Sequence, residues 1–218
     1  MTACDALRTQ GPRHVAAADP AMAALIPRIG RCALPKRRSP YAALVRSIVT
    51  QQLSMAAAST IHRRMQTTLG GPISLRRIQR TPDDALLAAG LSRRKLRFIR
   101  ELTCRVATGE VDFPALRDLP DDHVVQKLCA LRGVGPWTAD MFLMFVLNRP
   151  DVLPLGDSGL RRAFRLSYDL PHSPAPALME ELAEPWRPYR TVGCWYLWRA
   201  LDRRDRVRTS SERGSRRS

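Results

Sequence analysis

Between two apolar stretches the chain reads Leu131-Arg132-Gly133-Val134-Gly135-Pro136-Trp137-Thr138, and few folds accept that run. Two glycines one residue apart allow the positive φ that a reversal of two or three residues requires. Pro136 suits the first turn of a helix, where its missing N–H is not needed. The run therefore predicts a tight hairpin that opens directly into a helix. The uncovered N–H groups from Gly133 to Trp137 would then face outward at a helix start. Such a terminus attracts anions, phosphate among them, without help from a side chain. Taken alone, the run also fits a plain helix–helix turn with no ligand.

The rest of the chain is patterned for helices. Tyr41, Leu44, Val45, Ile48 and Val49 fall at i, i+3, i+4, i+7 and i+8, one apolar face. Ser54 caps a second helix carrying Ala58, Ile61, Met65 and Leu69, closed by Gly70-Gly71. Thr81-Pro82-Asp83-Asp84 sets a cap, a first-turn proline and two acids before Leu86 and Leu87, and Gly90 ends that helix. Leu96, Ile99, Leu102 and Val106 mark a longer one that stops at Gly109. Pro120-Asp121-Asp122 opens the next, with Val124, Leu128 and Leu131 on one side. The helix begun by Pro136 runs through Met141–Leu147 and stops before Pro150, and 159–167, 175–183 and 187–201 supply three more. Strand-like alternation is missing, so the reading is an all-α protein with short connections. Residues 1–20, rich in Ala and polar groups, are expected to form a flexible N-terminus. Residues 203–218, with seven arginines and almost nothing apolar, are expected to be a disordered basic tail. That leaves 21–202 as the folded domain.

Lys and Arg number 36 against 20 Asp and Glu, a net charge of +16. The balance predicts an anionic partner, and nucleic acid is the commonest. Cys4, Cys32, Cys104, Cys129 and Cys194 are scattered and form no C-x-x-C, which argues against a zinc site or a four-cysteine iron–sulfur cluster. An odd, scattered count fits a reducing cytosol. A basic n-region followed by an apolar run is lacking at the N-terminus, and no apolar run is long enough to span a membrane.

Asp157 lies twenty residues after Trp137, in the turn-rich Leu153-Pro154-Leu155-Gly156-Asp157-Ser158. A hairpin between apolar helices, followed at this distance by an Asp in a Gly/Pro-rich loop, resembles the helix–hairpin–helix DNA glycosylase superfamily. Leu44-Val45-Arg46-Ser47-Ile48-Val49-Thr50-Gln51-Gln52-Leu53-Ser54 resembles the signature of its 3-methyladenine DNA glycosylase II branch. Gly90-Leu91-Ser92-Arg93-Arg94-Lys95 and Pro185-Trp186-Arg187-Pro188-Tyr189-Arg190 resemble it too. Together these cover roughly residues 40–201, and four separated segments in the right order make a specific match. The resemblance implies an all-α fold of two helical subdomains flanking an active-site cleft. About 40 residues precede the first shared motif, too few for the N-terminal mixed α/β domain of larger bacterial members.

The resemblance also implies roles. Bifunctional members carry a lysine nucleophile two residues after the second hairpin glycine. Trp137 stands there, which implies a monofunctional hydrolase that leaves an abasic site and has no lyase activity. Asp157 is the implied catalyst, stabilising positive charge on the sugar as the base departs or steering the attacking water. An Asp before Ser158 also reads as a simple helix cap. The flipped base is expected among Trp137, Met141, Trp198 and Trp195, although 195 and 198 also fit a core stripe. Gly133, Val134, Gly135, Trp137 and Thr138 are the expected DNA contacts. Gln52 or Leu53 would fill the gap left in the duplex, unless the pair is only a helix end. The carbonyls of Cys129, Leu131 and Val134 would hold a structural Na⁺ or K⁺, and no other cofactor is expected. The implied activity is release of alkylated purines such as 3-methyladenine and 7-methylguanine from double-stranded DNA, in base excision repair. The chain is expected to act as a monomer in the bacterial cytoplasm, associated with the nucleoid through its DNA. Two alternatives stay open: a glycosylase for another damaged or mismatched base, and a non-catalytic helix–hairpin–helix DNA-binding protein. Asp157 separates the second from an enzyme.

Overall fold

The computed structural model describes the backbone of residues 3–34 and 39–215, and side chains in those ranges between 7 and 205, residue 55 apart. Among these residues all regular structure is helical, as expected. In chain order the α-helices are α1 (Ala3–Ala18), α2 (Pro20–Ile29), α3 (Pro40–Thr50), α4 (Met55–Thr68), α5 (Leu75–Arg80), α6 (Asp83–Ala88), α7 (Arg93–Ala107), α8 (Asp121–Cys129), α9 (Pro136–Phe142), α10 (Ser158–Ser167), α11 (Pro176–Ala183) and α12 (Arg190–Ser215). The chain forms two compact units, Arg37–Leu147 and a second one built from Met1–Lys36 with Asn148–Ser218.

Within Arg37–Leu147 the periodicity of α3 is borne out: Tyr41, Leu44, Val45, Ile48 and Val49 are all buried. Burying five such side chains at roughly 1.5–3 kcal/mol each far outweighs the few tenths of a kcal/mol by which β-branched residues disfavour a helix. Serines start four of these helices. Ser39, Ser54, Ser74 and Ser92 accept the N–H of Ala42, Ala57, Arg77 and Lys95. The start of α6 differs from the reading. Pro82 holds the cap position, and Thr81 instead ends α5, its hydroxyl donating to the Arg77 carbonyl at 2.8 Å. Helix α5 has only six residues, too few to show a period. After α9 the helix widens into a π-helical stretch at Leu143–Leu147, with Leu143, Met144 and Val146 buried.

The second unit corrects both expectations about the chain ends. Residues 3–18 form α1, and Leu7 (2% exposed) and Val15 (0%) lie in the core. The segment gave no amphipathic signal because most of its residues are alanine or short polar groups. Asp19 then caps α2, accepting the N–H of Ala21 at 2.8 Å and of Met22 at 3.2 Å. The other oxygen of Asp19 takes the Trp186 indole N–H at 2.8 Å and the Tyr168 hydroxyl. Burial, then this hydrogen bond, pushes the Tyr168 hydroxyl well above its ordinary range.

Over 203–215 the backbone continues α12 to Ser215 where a disordered tail was expected, and 216–218 lie outside the described residues. Arginine is a good helix former, and Gly214 is the first glycine after Gly193. The start of the segment is also tied down. Arg203 donates to the Ile29 carbonyl at 3.2 Å and Arg204 to the Leu166 carbonyl at 3.2 Å. Arg162 meets both oxygens of Asp205 at 2.9 and 3.0 Å. No helix among the described residues is long and apolar enough to cross a membrane.

Candidate active site

Asp157 belongs to the unit built from the chain's two ends, and the segment leading to it is anchored on the first turn of α12. Asp151 accepts from Arg187 at 2.6 Å and from Arg190 at 2.7 and 3.0 Å. The Thr191 hydroxyl donates to the Arg149 carbonyl at 2.8 Å and accepts the Val152 N–H at 3.1 Å. The Arg190–Asp151 pair is sheltered, with side chains 14% and 23% exposed. It therefore holds geometry in a way that an open pair such as Arg199–Asp202, at 48% and 56%, does not. Beyond this anchor the loop folds on itself, and the Asp157 N–H reaches the Pro154 carbonyl at 3.0 Å.

Asp157 does cap α10. Its Oδ1 accepts the Leu160 N–H. A cap needs nothing more, yet the same oxygen also takes the Trp198 indole N–H at 3.0 Å. Trp198, expected as a stacking surface, is half-buried and serves as a donor that orients the carboxylate. Trp195 fits the core stripe that was its other reading. It is 6% exposed, edge-on to Tyr196 at 4.9 Å and under the Arg199 guanidinium at 5.3 Å, so it packs the core of its unit.

The other unit carries the hairpin. The Val134 N–H closes it on the Leu131 carbonyl at 3.1 Å. Gly133 has φ +80, and a Cβ there would sit 2.4 Å from the Phe98 ring, so conformation and space both demand glycine. Gly135 does not share the first demand. It is extended at φ −107, ψ 176, and nothing lies within 4 Å of its missing Cβ. Val134 and Thr138 are buried, at 6% and 3% exposure, so any contact that either made with DNA would run through the main chain. Trp137 is 36% exposed, and Met141, one turn later, is half-buried. Asp140, also on α9, is pushed up to about 6 by burial.

Gln52 and Leu53 are both exposed in the α3–α4 turn, Leu53 at 37%. Gln52 has φ +56, which for a non-glycine residue costs on the order of 1 kcal/mol. The carbonyls of Cys129, at the end of α8, and of Leu131 and Val134, on the α8–α9 connection, follow one another along the chain. The Leu131 oxygen also accepts the Val134 N–H. That donor set suits a weakly held monovalent cation.

Residues 45–188 match the model of the HhH-GPD superfamily of base excision DNA repair proteins. The chain belongs to this superfamily. It resembles a solved DNA-3-methyladenine glycosidase from Bacillus halodurans at 38% identity and TM-score 0.76, covering 88% of each chain. A Schizosaccharomyces pombe 3-methyladenine DNA glycosylase, solved in complex with abasic DNA, is 28% identical with TM-score 0.78, covering 87% of this chain and 95% of that one. An alkylbase DNA glycosidase-like protein of the same yeast is 27% identical over 192 residues, 85% of this chain and 90% of its own.

Within the superfamily fold, sequence reasoning missed several residues that hold the segments described above. Asp151, Arg190 and Thr191 hold the loop before Asp157, and Gln51 and Lys95 hold the α3–α4 turn. Of these, Gln51, Lys95 and Arg190 stood in segments already singled out, but nothing in one dimension gave their partners. Gly159 was also missed. A Cβ there would lie 3.2 Å from Asp157 Oδ1 and 3.9 Å from Trp198 Nε1. Gly159→Ala is therefore expected to raise helix stability by roughly 0.5–1 kcal/mol while slowing catalysis three- to tenfold, because the methyl displaces the carboxylate. A higher Tm together with a lower single-turnover rate checks this. An unchanged rate would mean that the space beside Asp157 has no role.

Proposed function

We propose that this protein is a monofunctional DNA glycosylase that hydrolyses the N-glycosidic bond of alkylated purines, 3-methyladenine and 7-methylguanine foremost, in double-stranded DNA. The observation that carries the reading is Asp157, whose Oδ1 is held by the Leu160 N–H and by the indole of Trp198. Departure of the base builds positive charge on the sugar. A carboxylate fixed in advance stabilises that charge without having to reorganise. The same carboxylate can orient the water that completes hydrolysis. Alkylation at N3 or N7 makes the purine cationic and a good leaving group, so one carboxylate without a strong general acid suffices.

The target base leaves the stack before it reacts, at a cost of a few kcal/mol. Trp137 offers an exposed, electron-rich ring for a cationic purine, with Met141 one turn away. The main-chain N–H groups around Gly133–Trp137 grip phosphate without reading sequence. A Na⁺ or K⁺ on the carbonyls of Cys129, Leu131 and Val134 would add positive charge beside that phosphate. Trp137 occupies the position of the lyase lysine, so no side chain there forms a Schiff base. The partner is duplex DNA, approached by a monomer in the cytoplasm.

The deciding experiment is single-turnover base release by the purified protein from matched duplexes carrying 7-methylguanine, uracil or 8-oxoguanine, with borohydride trapping in parallel. The expected result is fastest release of 7-methylguanine and no trapped complex. Faster release of uracil or 8-oxoguanine would overturn the substrate class, and efficient trapping would overturn the monofunctional assignment.

A further inference from the structure

The α3–α4 turn keeps a shape that its own sequence disfavours. Gln51 has φ −52, ψ 133, Gln52 has φ +56, and the Leu53 N–H donates back to the Thr50 carbonyl at 3.2 Å. These are the features of a type II turn with Gln52 at its third position, a place that favours glycine or asparagine. A type I turn would close with the same hydrogen bond and leave Gln52 at negative φ. The two forms differ in which way the Gln51–Gln52 peptide points.

Lys95 grips that peptide. Its Nζ donates to the Gln51 carbonyl at 2.8 Å and to the Val49 carbonyl, at the end of α3, at 2.7 Å. The Gln51 side-chain amide donates to the Gly133 carbonyl at 2.6 Å. Phe98, one turn after Lys95 on α7, lies against Gly133 where a Cβ would be. One face of α7 therefore holds the turn through Lys95 and the hairpin through Phe98, and Gln51 links the two. Lys95 is half-buried, and burial lowers its pKa below the ordinary lysine value. An ammonium in such a place is kept for its contacts rather than for solvation.

We propose that Lys95 is a positioning residue for base extrusion. It selects the type II form of the Gln51–Gln52 peptide and so aims the exposed Leu53 into the duplex. The inference rests on the reading of the chain as a base-flipping glycosylase with Leu53 as its wedge.

The test uses the full chain and Lys95→Met, Leu53→Ala, the double variant, and Lys95→Met with Gln52→Gly. Lys95→Gln, too short to reach either carbonyl, replaces Lys95→Met if that variant does not fold. Two readouts are taken: fluorescence of 2-aminopurine beside an abasic-site analogue, which reports unstacking, and single-turnover release of 7-methylguanine. Lys95→Met is expected to lose most of the unstacking signal and to slow release about tenfold. The double variant should be no slower than Leu53→Ala, because both changes strike one step. Gln52→Gly, which accepts positive φ freely, should restore part of the signal. Multiplying effects, an intact signal in Lys95→Met, or no restoration by glycine would overturn the role of Lys95. A silent Leu53→Ala would instead remove the wedge itself, and the inference with it. Release of no base by the parent chain would overturn the glycosylase reading, while the fluorescence still judges Lys95.

Discussion

Asp157→Asn is expected to slow single-turnover release of 7-methylguanine by about 10³-fold, some 4 kcal/mol of transition-state stabilisation. The substitution removes charge and little else. Asparagine caps helices as well as aspartate does, so the Leu160 N–H keeps its acceptor. The amide oxygen also still accepts the Trp198 indole N–H. Melting and duplex binding should therefore stay near the parent values while chemistry collapses. If the variant releases base within a few-fold of the parent rate, Asp157 is a helix cap and the carboxylate mechanism fails. A matching loss of Tm would point to structure instead.

Asp19→Ala is expected to cost about 3–5 kcal/mol in urea unfolding, enough to leave a marginal domain partly unfolded. Three terms add. Loss of the α2 cap costs roughly 1 kcal/mol. The buried Trp186 indole N–H loses its acceptor at roughly 1–3 kcal/mol, and the half-buried Tyr168 hydroxyl at roughly 1 kcal/mol. Trp186 is fully buried, so water cannot replace the carboxylate without repacking. Asp19→Asn, which keeps one oxygen, should lose clearly less. A drop below 1 kcal/mol for the alanine variant would show that the network tolerates its removal.

The two predictions fall on either side of what a single sequence shows. The face of α3, the Ser54 cap and the Gly133 turn were legible because each depends on neighbours three or four residues away, or on one residue's own φ preference. Helix α1 was not legible: alanine is compatible with a helix but marks no face, and what orders the segment is packing by distant residues. Asp19 was missed for the same reason, since its partners Tyr168 and Trp186 lie 149 and 167 residues further along. At the site, Asp157 stood out through its spacing from the hairpin, whereas its bond to Trp198 did not. The rings at 195 and 198 looked alike on one helix, yet Trp195 is buried among aromatic and cationic neighbours and Trp198 turns its N–H to a carboxylate. Gly135 shows the opposite error, since a glycine read as a conformational need has ordinary extended geometry.

The unit that holds Asp157 is made from residues at both ends of the chain, while Arg37–Leu147 is continuous. On the ribosome, the continuous unit has emerged complete before most of the other exists. Helices α1 and α2 must wait for α10 and α12, with Leu7 and Val15 uncovered in the meantime. The hairpin half is thus free to fold first, and the acid-bearing half is the last to form. Nascent chains halted before α12 should protect the hairpin region from protease and leave the first two helices open to cleavage.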